Sequence, residues 1–267
     1  MSRAGASPVN AASHVPTTFF ELAKIAASGR LGLIEVLARI AIWTAVFAGK
    51  PSVDGVSLSD MITYSLIAGT VLGAWEPGYL INEVGKAVKT GDVAIHLLKP
   101  FHYPLYLFAV QLGNLGFSLI ALVLPVIAVI GMIYGIQPPA SVAHAMLFLA
   151  FWLLSFSVFF LLAAAIGLLS FWIMDASSLE WFLQGIMSFL SGSIVPLWFF
   201  PSALASIARF LPFAWISYYP AAVYLGKLDL FDAGLMLVVG MGWALVLAGA
   251  VGLLWSRARH RIVVQGG

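Results

Sequence analysis

A chain of 267 residues that is 62% hydrophobic and 9% charged, with mean hydropathy +1.02, has too few polar side chains to coat a water-soluble globule of its size. The bilayer is its solvent, and it reads as an all-α integral membrane protein. The absence of cysteine excludes disulfides and thiolate metal sites, and a net charge of +2 without a basic stripe excludes a nucleic-acid-binding surface.

Residues 1–16 (MSRAGASPVNAASHVP) are small and polar, lack the apolar core of a signal peptide, and read as a disordered cytoplasmic tail. Residues 17–29 gather Phe19, Phe20, Leu22, Ile25 and Ala26 near one helical face, with Glu21 and Lys24 elsewhere. That pattern predicts a short helix lying in the membrane interface; a frayed extension of the first span is the alternative. The first span is 31–48, closed by the loop signal "GKPSVDG". The second is 59–81, with Glu76-Pro77 distorting its last turns. The third, 103–135, is interrupted by Pro125, and the fourth, 142–173, is long enough that it must tilt or protrude. From 181 to 226 the chain is apolar but broken by Gly185, Gly192, Pro196, Pro201, Pro212, Pro220 and Gly226. This predicts one crossing, 181–200, followed by a re-entrant or interfacial helical pair over 202–225, since irregular backbone is not tolerated in contact with lipid. The last span is 233–255 and is followed by a basic tail, 256–267, so that 17–255 forms the transmembrane domain.

Six crossings put both termini on one side. With that side cytoplasmic, the inner segments hold Arg3, Lys24, Arg30, Lys86, Lys89, Lys99, Arg257, Arg259 and Arg261, and the outer ones hold Lys50, Arg209 and Lys227. Cytoplasmic loops collect lysine and arginine, so both termini are expected inside a plasma (inner) membrane. Trp198, Phe199, Phe200, Trp215, Tyr218 and Tyr219 then make an outer aromatic belt. A seven-span arrangement, with 203–224 crossing fully, would place "RARHR" outside.

Between the second and third spans lies a compact basic insert, "VKTGDVAIHLLKP". Thr90-Gly91-Asp92 predicts a turn, with Asp92 suited to N-cap a short helix "VAIHLLK" that Pro100 stops. On that helix His96 and Lys99 remain polar, and Glu83, Lys86 and Lys89 precede it in the 82–100 loop. A short rigid helix on the inner face suits docking to a cytosolic motor; an ordinary positively charged inner loop is the other reading. Glu35 and Arg39 share a face of the first span and predict an ion pair about 14 Å or less along the axis from Arg30. A polar anchor at a subunit interface and a purely structural pair both fit it. Arg209 in the 202–225 segment is read as structural. His102 and His144 lack a second ligand at metal spacing, so no metal site is expected.

The stretch "GDVAIHLLKPFHYPLYLFAVQLG" resembles the segment that ABC-2 type permeases of the viologen-exporter-like group carry after their second span. "SGSIVPLWFFPSALASIARFLPFAWISYYPAAVYLGK" is likewise similar to the segment before their last span. The resemblance runs from about residue 17 onward. It implies a permease subunit of an ATP-driven exporter, working with two copies of a nucleotide-binding ATPase subunit and with a second, similar or identical permease. On that likeness, 17–29 is an elbow helix, and the 82–100 loop, with Glu83, Lys86, Lys89, Gly91, Asp92, His96, Lys99 and Pro100, holds the coupling helix. Gly192, Pro196, Pro201, Arg209 and Pro212 fall in and just before external re-entrant helices. The chain has no Gly-x-x-x-x-Gly-Lys-Ser/Thr; Gly85-Lys86-Ala87 and Gly226-Lys227-Leu228 both lack the hydroxyl residue that the phosphate cradle needs. ATP and Mg²⁺ would therefore be held by the partner ATPase, and this chain is not expected to be an enzyme or to carry a cofactor of its own. The substrate implied is hydrophobic or amphipathic. A secondary transporter or channel, and a multi-pass membrane enzyme, are the readings from other classes; the first lacks matching helix breaks in both halves, the second a converging catalytic set.

Overall fold

A computed structural model describes residues 33–53, 55–73, 75, 77–97, 102–173 and 177–265. The expected tail at 1–16, the interfacial helix at 17–29, and Glu76, Lys99 and Pro100 lie outside the described residues. The described chain is nearly all helical. Helix α1 covers 33–46. Helix α2 (Leu58–Gly73) starts on a reciprocal cap: the Ser57 amide donates to Asp60 Oδ2, and the Asp60 amide to Ser57 Oγ, both at 3.1 Å. Helix α3 (Pro77–Thr90) follows, so the expected single span at 59–81 is two helices. Proline has no amide to donate, so it is poorly placed inside a helix and well placed to start one, as Pro77 does for α3.

After the five-residue α4 (Val93–Leu97) the chain makes a continuous helix of 32 residues, Tyr103–Tyr134. It consists of α5 (Tyr103–Ser118), a π turn at Leu119–Val123 and α6 (Leu124–Tyr134). The interruption expected at Pro125 is this π turn. Widening the coil just before the proline makes room for a ring that a regular helix would push into its own backbone. Helix α7 (Val142–Leu169) is capped by Ser141, whose side chain accepts the His144 amide, and ends four residues before the expected boundary of 173. Helix α8 (Ser177–Leu190) stops well short of 200. A short 3₁₀ turn, Leu197–Phe199, leads into α9 (Ser202–Phe210), a second 3₁₀ turn at Pro212–Trp215 and α10 (Tyr218–Tyr224). Helix α11 (Leu230–Gln265) runs on past 255 and carries Arg257, Arg259 and Arg261 on helical backbone.

Among the described residues, three helices are long and apolar enough to cross a membrane: Tyr103–Tyr134, Val142–Leu169 and Leu230–Arg261, with mean hydropathies of 2.6, 2.4 and 2.3. At 1.5 Å per residue each exceeds the roughly 30 Å hydrocarbon layer. Of the three, α7 is the most enclosed. It is apolar on every side and buries Phe151, Phe156, Phe159 and Phe160 against its neighbours.

In lipid, apolar side chains gain little by leaving their solvent, so helix association rests on close packing and on small residues that allow it. The packing around α7 has that character. A Cβ at Gly167 would stand 3.3 Å from Val84 of α3, and one at Gly240 of α11 would stand 2.2 Å from the Trp215 indole nitrogen. That indole crosses to α11 and donates to the Met236 carbonyl at 2.7 Å. Trp75 sits among Trp152, Phe156 and Phe159, with ring centroids 5.4–6.0 Å away. A second cluster packs Trp43 and Phe47 at the end of α1 against Met61, Tyr64 and Ala221, and a third joins Val36 and Ile40 to Ile62, Leu66 and Ile130.

Candidate functional site

Two regions concentrate polar groups in this apolar chain: the α3–α4 corner with the start of α8, and the turn that ends α8. The first is built from the end of α3. This helix is amphipathic, burying Leu80, Ile81 and Val84 while Asn82, Lys86 and Lys89 are exposed. It stops at Thr90 because Gly91 takes a φ of +79°, a conformation that side-chain-bearing residues rarely adopt. The Thr90 hydroxyl donates to Asp92 at 2.6 Å, and the Ala94 amide returns to the Gly91 carbonyl at 3.0 Å. Val93 is then buried at the start of α4. His96 lies against α5, its ring 5.1 Å from that of Tyr103 and 5.2 Å from that of Tyr106. Of the residues expected in this loop, the structure places Gly91, Asp92 and His96 in one tight corner and spaces Glu83, Lys86 and Lys89 along the helix before it.

A cleft of about 630 Å³ opens between α3 and α8, lined by Tyr79, Glu83 and Lys86 on one side and by Glu180 and Gln184 on the other. Glu180 holds the two helices together: its Oε2 accepts from Asn82 Nδ2 at 3.1 Å, and its Oε1 lies where a Cβ on Gly78 would otherwise be, only 2.0 Å away. Glu83 Oε2 is shielded from solvent and takes no hydrogen bond among the described residues. That burial pushes the Glu83 carboxyl above its usual range. The sequence reading included Glu83 but missed the cleft, because Glu180 belongs to a polar turn about a hundred residues away. A glycine in register with a distant carboxylate leaves no local signature.

The second region is the turn after Leu190. Gly192, buried, adopts a φ of +75° and is hemmed in by Tyr64, Tyr218 and Leu197. Three successive carbonyls of this unwound stretch are each taken by a distant donor. The Tyr218 amide donates to Ser191 at 3.0 Å, the Tyr64 hydroxyl to Gly192 at 2.7 Å, and the Arg39 guanidinium to Ser193. The expected Glu35–Arg39 pair forms, at 2.5 Å, but it is lopsided: the Arg39 side chain is 10% exposed and that of Glu35 56%. Arg39 is therefore a clamp on the α8 turn as well as an ion-pair partner. The motif spacing predicted the pair and missed the carbonyl. Tyr64, a lone phenol in "MITYSL", was the available signal. Further on, Pro196 and Pro201 sit at the starts of the first 3₁₀ turn and of α9. Arg209 lies over the Tyr218 ring at 5.8 Å, and Pro212 is buried at the start of the second 3₁₀ turn.

Beyond these regions, Lys227 pairs with Asp60 at 2.9 Å, tying the α10–α11 turn to the start of α2. At the far end of α11, Arg261 lies 5.7 Å from the centre of the Trp172 ring. Residues 33–266 match the family model of the ABC-2 family transporter proteins. No curated protein and no solved structure matches the chain.

Proposed function

Because the chain belongs to the ABC-2 family of transporter proteins, a membrane-integral permease component that works with an ATP-binding subunit, we propose that it is the permease of an ATP-driven exporter of the viologen-exporter-like group. In this reading it crosses a plasma (inner) membrane six times with both termini cytoplasmic. It pairs with a second, similar or identical permease and with two copies of an ATPase subunit that binds all the ATP and Mg²⁺. The cargo is a hydrophobic or amphipathic compound moved outward.

One observation carries the proposal. Between apolar segments the chain builds a rigid corner, α3–Gly91–α4, with Lys86 and Lys89 exposed beside it. A motor that closes on ATP needs a stiff handle, and helical backbone locked by a positive-φ glycine and a Thr90–Asp92 hydrogen bond supplies one. Movement of that handle would be passed along α3, which packs on α7 through Gly167, and so into the centre of the bundle. The segment 202–225 would cap the path on the external side, and 17–29 would lie as an elbow helix on the internal side.

The cysteine-free sequence makes the topology directly testable. Single cysteines at Ala94 and at Lys227 are expected to react with a membrane-impermeant maleimide from opposite faces, Ala94 only in inverted vesicles and Lys227 only in right-side-out cells. Reaction of position 94 from outside would overturn the proposed coupling role.

A further inference from the structure

The lipid-facing side of α11 does not stop where its apolar residues stop. Val246, Leu253, Arg257 and Arg261 are all exposed, and steps of four or seven residues keep them on one face of the helix. From Leu230 to Leu253 the helix runs about 35 Å, against roughly 30 Å of hydrocarbon, so Arg257, one turn further, stands among headgroups. Trp172, half-buried in the turn that closes α7, marks the same level, since indoles collect at the membrane surface. The Arg261 guanidinium lies over that ring and donates to the Phe171 carbonyl at 3.5 Å, which leaves most of its N–H groups free. Arg257 has no hydrogen bond or ion pair among the described residues. Below the two arginines, Gly242 and Gly249 share the exposed face, and a Cβ on either would meet nothing. The helix surface beside Val246 and Leu253 is therefore a shallow lane of bare backbone.

We propose that Arg257 and Arg261 hold the phosphate of an anionic phospholipid, with one acyl chain laid along α11 over Gly249 and Gly242. Guanidinium groups present paired N–H donors that match phosphate oxygens, and Trp172 fixes one of the two in place. Continuity selects lipid as the occupant: both arginines prolong a column of side chains that already faces hydrocarbon. Arg259 is also exposed but lies about 200° round the helix from Arg257, off that column. The bound lipid would tie the end of α11 to the end of α7. This needs only the membrane-integral character of the chain, so its failure would leave the proposed function standing.

Native mass spectrometry of the full chain, titrated in detergent with phosphatidylglycerol or phosphatidylcholine of the same acyl chains, tests the assignment. The expected result is a preference for phosphatidylglycerol of about 25-fold, with each arginine supplying a factor of about five. Arg257→Gln and Arg261→Gln should each lower it about fivefold. Arg259→Gln removes an equal charge from the same helix and should leave it unchanged. Arg257→Lys should keep most of it, showing that charge at that position is what counts. No preference, or equal losses for Arg257→Gln and Arg259→Gln, would mean a diffuse positive field without a site and would overturn the inference. So would displacement of the lipid by an equal concentration of inorganic phosphate, which would make this a site for the free anion. If Arg257→Gln strips a second copy of the chain or an ATP-binding subunit from the spectrum and leaves lipid binding intact, the face belongs to that protein and the inference fails.

Discussion

Replacing Arg39 with methionine removes the one charge that α1 buries among the described residues, and the structure sets the size of the effect. The guanidinium does two things: it donates to the Ser193 carbonyl and pairs with Glu35. A buried acceptor stripped of its donor costs about 1–3 kcal/mol. The pair adds less, because the Glu35 side chain is 56% exposed, and half-exposed pairs contribute at most about 1 kcal/mol. The expected loss for Arg39→Met is therefore about 1–4 kcal/mol, or a melting temperature lower by roughly 2–16 °C for a chain of this size. Glu35→Gln, which leaves the carbonyl contact in place, should cost no more than about 1 kcal/mol. Arg39→Lys, with one compact donor in place of a fork, should fall between. Detergent-solubilised variants heated in steps and scored by the surviving size-exclusion peak give the ranking. Equal losses for Arg39→Met and Glu35→Gln would show that the ion pair carries the effect and that the carbonyl clamp is unimportant. A shift below about 2 °C for Arg39→Met would refute the reasoning altogether.

Gly240→Ala should destabilise by about 2–4 kcal/mol, because its Cβ would collide with Trp215 at 2.2 Å and Leu154 at 2.7 Å and displace the indole from Met236; the same thermal assay reads it. Gly192→Ala should cost about 1–3 kcal/mol, since an alanine there is strained at φ +75° and meets the Tyr64 hydroxyl at 3.1 Å; a neutral result would mean the turn relaxes freely. The Glu83 carboxyl is raised by burial, so its protonated form favours the folded state. The stability it contributes is present below the usual carboxylate value of 4.5 and is lost as pH rises through the higher folded-state value. For the chain without its partner, Glu83→Gln should remove that downward slope and be neutral or stabilising at pH 7.5, as melting curves from pH 4 to 8 would show.

The sequence made the bundle legible wherever a physical rule is local. Mean hydropathy marked α5–α6, α7 and α11, because each has to satisfy lipid along its own length. Pro77 and Pro125 marked real discontinuities, although only the coordinates distinguish a clean break after Gly73 from a π turn at Leu119–Val123. The i, i+4 spacing of Glu35 and Arg39 was sufficient to predict their pair. What stayed hidden depends on contacts far apart in the chain. Tyr64 reaches Gly192, Glu180 reaches Asn82, and Arg39 reaches Ser193. A backbone carbonyl has no identity in a sequence, so a donor aimed at one leaves no pattern to read. The helix ends near 200 and 255 differ for a related reason: apolarity sets where a chain can cross, whereas the Gly192 turn follows the end of α8 and helical backbone carries α11 on through Arg257, Arg259 and Arg261.

The central claim is that this chain transmits work done by a separate ATP-hydrolysing subunit. Affinity purification of the tagged chain from its own membranes in mild detergent, followed by an ATPase assay, tests it most directly. The account predicts that an ATP-binding subunit co-purifies, that the complex hydrolyses ATP, and that the chain stripped of that subunit does not. ATP hydrolysis by the chain alone, or recovery of the intact chain with no ATP-binding subunit, would contradict it.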